Sequence, residues 1–125
     1  LKTLEVMAHE KSWQHISEIG VYFKRNLESI CHSLGVGVSV GGLDALTAYT
    51  FESDDYPALK TYLTQEMLKH GYLMSNLFYP SLAHKKEDVD EFLNCLAAVI
   101  SEVDVNRALP CLKGPVCHMG FARLN

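Results

Sequence analysis

Between Leu34 and Val40 the apolar residues change their repeat, and that change most constrains the fold. Upstream, Ile16, Ile19, Phe23, Leu27, Ile30 and Leu34 recur every three or four residues, the spacing of one helix face. Downstream, Val36, Val38 and Val40 alternate with small residues, the spacing of a strand. Gly35 stands at the junction, where a residue free to take the left-handed conformation ends a helix well. A long helix from about Trp13 to Leu34 followed by a strand requires a mixed fold.

The flanking segments extend this pattern. Leu1, Leu4 and Met7-Ala8 predict a helix over residues 1–11, with Ser12 as turn and cap. Gly20 interrupts the long helix, and a close helix contact would explain it. Gly41-Gly42 breaks or bends the first strand, and LDALTAYTF predicts a second strand through Phe51. This glycine pair has the freedom either to shape a turn or to let a ligand approach closely.

A third helix starts near Pro57, with Asp54 or Asp55 as cap, and stops at Gly71. It presents Leu59, Leu63 and Met67, with Tyr62 and Leu68 beside them. Tyr72 to Met74 predicts a short strand, and SNLFYPSLAH a loop with a further short or edge strand, since it holds Pro80. A last helix from about Lys86 to Val103 buries Val89, Phe92, Leu93, Leu96, Val99 and Ile100. Acids at Glu87, Asp88 and Asp90 suit its first turn. The expected order is α-α-β-β-α-β-β-α. It implies an α/β (α+β) domain with a small, mostly antiparallel sheet and helices on one face. The tail from residue 105 to 125 lacks a period and is punctuated by Pro110, Gly114, Pro115 and Gly120.

Composition narrows the function classes. The formal net charge of -4, with scattered basic residues, gives no general attraction to nucleic acid. The longest apolar run is far short of a membrane span, and the first residues lack a signal-peptide core. Cys31 and Cys95 fall on apolar helical stripes, as buried thiols do. Cys111 and Cys117-His118 lack a recognised zinc spacing. These thiols favour a reducing, cytoplasmic compartment. No GxGxxG, GxxxxGK[ST] or HExxH occurs. Ser81, His84 and Asp88 are triad residue types without a nucleophile elbow or oxyanion hole, so they read as structural. Phe78 and Tyr79 beside Pro80 suit core or interface packing, or a pocket wall. The chain begins without Met, inside a helical pattern, as a fragment boundary would.

Four segments carry a resemblance. LKTLEVMAHEKSWQHISEIGVYFKRNLESICHSLG, VSVGGLDALTAYTF, HGYLMS and SLAHKKEDVDEFLNCL occur in this order over Leu1 to about Val103. Together they resemble the C-terminal small domain of class III aminotransferases, in the glutamate-1-semialdehyde aminomutase branch. SLAHKKEDVDEFLNCL is the most specific of the four.

The resemblance implies the C-terminal domain of a fold type I pyridoxal-phosphate enzyme. Residues 1–11 would end the helix that joins the large and small domains, 12–104 would form the small domain, and 105–125 an irregular tail. Pyridoxal phosphate would be bound by a lysine of a missing N-terminal large domain, in a cytoplasmic homodimer. No cofactor, catalytic residue or metal site is expected in this fragment, which would be inactive alone. The loop between Gly71 and Ser81 would edge the active site, with Ser75, Asn76 and Tyr79 as substrate-facing candidates. It holds no glutamate where aminomutases carry one. The implied chemistry is therefore aminotransferase or aminomutase action on a small amino or keto substrate. The alternative is a noncatalytic α/β domain that binds a protein partner.

Overall fold

A computed structural model describes residues 1–117. Two helices open the chain, α1 (Lys2–Glu10) and α2 (Ser12–Leu34). Lys11 joins them in the left-handed conformation, at φ 49°. Ser12 is therefore the first residue of α2 and not its cap, and its buried hydroxyl meets no hydrogen-bond partner among the described residues. One face of α2 buries Ile19, Phe23, Leu27 and Cys31, each one turn from the next. Gly35 ends it at φ 69°, as expected of a glycine stop.

The chain then forms β1 (Val38–Leu43) and β2 (Leu46–Phe51), an antiparallel hairpin closed at Asp44-Ala45. Gly41-Gly42 does not break β1, because both residues stay in register opposite Ala48 and Thr47. The turn lies inside what reads in sequence as the second strand. Gly20 packs against this turn and not against another helix: a Cβ there would overlap the Asp44 carbonyl.

Asp55 caps α3 (Tyr56–Lys69) by accepting the Ala58 amide at 3.3 Å. Helix α3 buries Ala58, Leu59, Tyr62, Leu63 and Met67, while Leu68 is 57% exposed. Gly71 turns the chain away at φ 86°. The segment Tyr72 to Met74, expected to be a strand, joins no strand among the described residues. Its alternation does reflect side chains packed on the core, since Tyr72 and Met74 are half-buried and Leu73 is exposed. The free edge of β2 is instead taken by β3 (Leu77–Phe78), with Thr47 opposite Phe78 and Ala48 opposite Leu77. The sheet is thus three-stranded and antiparallel, in the order β1-β2-β3.

Helix α4 (Lys86–Ser101) buries Val89, Leu93, Leu96, Val99 and Ile100, and leaves Phe92 half-buried. It ends at Ser101, two residues before the expected Val103. Thr47, Tyr49 and Phe51 on one face of β2 are buried with these helical side chains in one core. The result is a mixed α/β fold with helices packed against a small antiparallel sheet. Beyond α4 the chain lies along α3. Ser53 Oγ donates to the Val105 carbonyl, Gln65 accepts the Lys113 amide at 2.8 Å, and Thr61 accepts the Cys117 amide at 2.8 Å. The tail is therefore seated on this domain as far as Cys117, and Gly120 lies outside the described residues. No helix among the described residues is long and apolar enough to cross a membrane.

Candidate functional site

The segment between α3 and β3 forms one side of an open cavity of about 220 Å³ whose other walls come from α2, β2 and α4. Its walls include Phe23, Tyr49, Tyr72, Met74, Phe78 and Phe92. The rings interlock. Phe23 stacks on Phe78 with centroids 4.3 Å apart, and Tyr72 meets Phe92 edge-on at 5.4 Å. Offset and edge-on contacts of this kind hold aromatic walls in place.

Tyr49 anchors the overlying segment twice. Its amide donates to the Asn76 carbonyl at 3.0 Å and its hydroxyl to the Ser75 carbonyl at 2.6 Å. Burial pushes the Tyr49 phenol well above its ordinary range, so it remains a donor.

The three substrate-facing candidates occupy different settings. Ser75 lies on the cavity wall, but its hydroxyl closes a local turn, accepting the Leu77 amide at 3.0 Å and contacting the Leu77 carbonyl at 3.2 Å. Asn76 lines a separate, smaller crevice against Tyr56 and Lys60. Tyr79 is 61% exposed, and its neighbour Phe78 takes the cavity wall. The structure brings Ser75 and Asn76 together around Tyr49 and leaves Tyr79 on the outside.

His84 also lines the cavity, with its ring edge-on to Phe78 at 5.5 Å. Its Nδ1 accepts the Ser81 amide at 2.9 Å and lies 3.1 Å from the Ser81 hydroxyl. A backbone N–H can only donate, so Nδ1 of the neutral ring carries no proton and Nε2 does. His15 Nε2 lies 2.7 Å from the His84 carbonyl and ties α2 to the same corner. Asp88 accepts the Lys85 amide at 2.8 Å and thereby secures the start of α4. Ser81, His84 and Asp88 thus form local turn and cap bonds, with no Asp88 bond to the imidazole, and the structural reading of this trio stands.

Sequence reasoning passed over His84, Tyr72 and Phe92 as cavity walls. Their burial pattern was legible, but packing into a wall and packing into a filled core give the same apolar period. Among the described residues, no three His, Cys, Asp or Glu side chains cluster as a metal site would require. All four cysteines are free thiols, and His118 lies outside the described residues.

Pyridoxal phosphate does not fit this cavity. None of the chain's lysines is on its wall to bond the aldehyde, and no arginine or lysine there could hold a phosphate. Lys86, the first residue of α4, points its ammonium over the Tyr22 ring at 5.3 Å. Comparison with protein-family models, with curated proteins and with solved structures found no match.

Proposed function

We propose that this chain is the small C-terminal domain of a pyridoxal-phosphate enzyme of the class III aminotransferase type. The whole protein would act on a small amino or keto substrate as an aminotransferase or aminomutase, as a cytoplasmic homodimer. The cofactor and its lysine would belong to a preceding large domain, as the resemblance implies. In this reading the segment between Gly71 and Ser81 edges the active site, and Ser75, Asn76 and Tyr79 face the substrate.

The observation that carries the proposal is α1. This helix buries none of its residues and exposes Leu4 at 65% and Met7 at 41%. Leaving such side chains in water forgoes about 1.5–3 kcal/mol each relative to full burial. A helix leaving a second domain would bury them there. The four resembling segments and the order of helices and strands support the same reading.

The coding sequence upstream of Leu1 tests it. A lysine-bearing large domain in frame is expected. The joined protein should then show a cofactor absorbance band that borohydride bleaches, and the 125-residue chain alone should show none. A start codon immediately before Leu1 would overturn the proposal, as would a borohydride-trapped lysine within this chain. The first outcome would favour a stand-alone domain that binds a protein partner through the exposed side of α1.

A further inference from the structure

We infer that the cavity beside the Tyr72–Phe78 segment binds a small neutral aromatic molecule that carries one hydroxyl, a ligand of the phenol class. This inference does not depend on the aminotransferase reading.

Size comes first. An apolar cavity of about 150 Å³ holds a benzene ring. The cavity here, of about 220 Å³, leaves room for a ring and one small substituent. The walls then favour an aromatic occupant, because Phe23, Phe78, Tyr72 and Phe92 all line the cavity and a further ring can join their stacked and edge-on contacts. Such walls reward a flat ring over a saturated one of equal size.

The polar groups set the substituent. Tyr49 spends its hydroxyl on the Ser75 carbonyl, and Ser75 spends its own on Leu77. His84 is different. Its Nδ1 is committed to Ser81, so its one proton sits on Nε2, which meets no protein partner among the described residues. His84 is a wall residue, so Nε2–H is the imidazole donor left for a ligand. Asp88 also lines the cavity, and only its Oδ2 is engaged, by the Lys85 amide. A ligand hydroxyl can accept from His84 and donate to Asp88. A ligand carboxylate would face the Asp88 charge and be repelled.

The test is a titration of the 125-residue chain with phenol, followed by amide chemical shifts. Cyclohexanol, benzoate and toluene serve as comparison probes. Saturable shifts are expected at Tyr72–Phe78 and His84–Phe92, strongest with phenol, weaker with cyclohexanol and absent with benzoate. His84→Asn keeps an acceptor for the Ser81 amide and removes the Nε2 donor. It should weaken phenol about fivefold to tenfold, the worth of one hydrogen bond, and leave toluene unchanged. Absence of saturable shifts in the wild-type chain would overturn the inference. So would equal binding of cyclohexanol and phenol, saturable binding of benzoate at the cavity, or an equal loss of toluene and phenol in His84→Asn. The wild-type titrations decide the matter even where the variant does not fold.

Discussion

Gly20 on α2 and Asp44 at the tip of the β1–β2 hairpin meet backbone to backbone. A Cβ on Gly20 would overlap the Asp44 carbonyl and stand 3.1 Å from the Asp44 Cα. Lys24, one turn further along α2, holds the same tip. Its ammonium donates to the Gly42 carbonyl at 2.9 Å and pairs with the Asp44 carboxylate at 3.1 Å. Gly20→Ala therefore sets two effects against each other. Alanine gains about 1 kcal/mol of helix propensity. Forcing a methyl into a filled contact costs about 1–3 kcal/mol, and more where backbone must move. The obstacle here is backbone, so the second effect wins and a net loss of about 1–2 kcal/mol is expected. Urea unfolding measures it, and an alanine variant as stable as the parent would refute the contact.

Thr47 carries the opposite expectation. It is fully buried near the start of β2, the middle strand of the sheet, and its hydroxyl has no hydrogen-bond partner among the described residues. A buried, unpaired polar group costs about 1–3 kcal/mol. Thr47→Val replaces that hydroxyl with a methyl group and keeps the β-branched shape. It should raise the thermal midpoint, with a gain of about 1 kcal/mol. A lower midpoint would mean that the hydroxyl has a partner in solution.

Tyr49 ties the wall of the cavity to the sheet. Tyr49→Phe keeps the ring beside Phe23, whose centroid lies 5.6 Å away, and deletes the bond to the Ser75 carbonyl. A loss of about 1 kcal/mol is expected, together with faster amide exchange over residues 72–78 and little change in α3. Uniform acceleration across the chain would show that the bond supports the whole core and not this segment.

Cys31 makes stability depend on alkaline pH. Burial on α2 pushes its thiol from an ordinary 9.0 up to about 11. The folded chain therefore holds this proton more tightly than the unfolded chain does. Its stabilising contribution is complete below pH 9.0 and is lost as pH rises towards about 11. At about 1.4 kcal/mol per pH unit, the loss reaches about 2–3 kcal/mol. Tyr49, raised for the same reason, adds to the decline above its ordinary 10.0. Cys31→Ala should be less stable at neutral pH through lost packing, yet fall less steeply between pH 9.0 and about 11. Equal slopes in variant and parent would show that Cys31 does not cause the decline.

The candidate site was legible only in outline. The segment between Gly71 and Ser81 was named through the resemblance, and the residues themselves said only that Phe78 and Tyr79 beside Pro80 suit core or interface packing or a pocket wall. Which side chains face inward was not legible. Phe78 enters the wall and Tyr79 remains outside because Phe78 pairs with Thr47, whose side of β2 faces the core. The role of His84 depends on Ser81, whose amide sets the imidazole tautomer through a contact that no spacing rule identifies.

The sequence by itself determined the elements whose signals are local. Apolar stripes specified α2, α3 and α4, Gly35 and Gly71 specified two stops, Pro57 with Asp54 or Asp55 specified a start, and alternating valines specified β1. These signals lie within a few residues of the structure they specify, because helix faces and strand faces are repeats of the backbone itself. Tertiary structure decided the rest. Tyr72 to Met74 has the alternation of a strand but no strand partner among the described residues, since the open edge of β2 accepts Leu77–Phe78 instead. Gly20 reads as a helix contact but meets a hairpin, since its neighbour is set by how the sheet lies across α2. A strand needs a partner and a cavity needs several walls, and both bring together residues far apart in the chain.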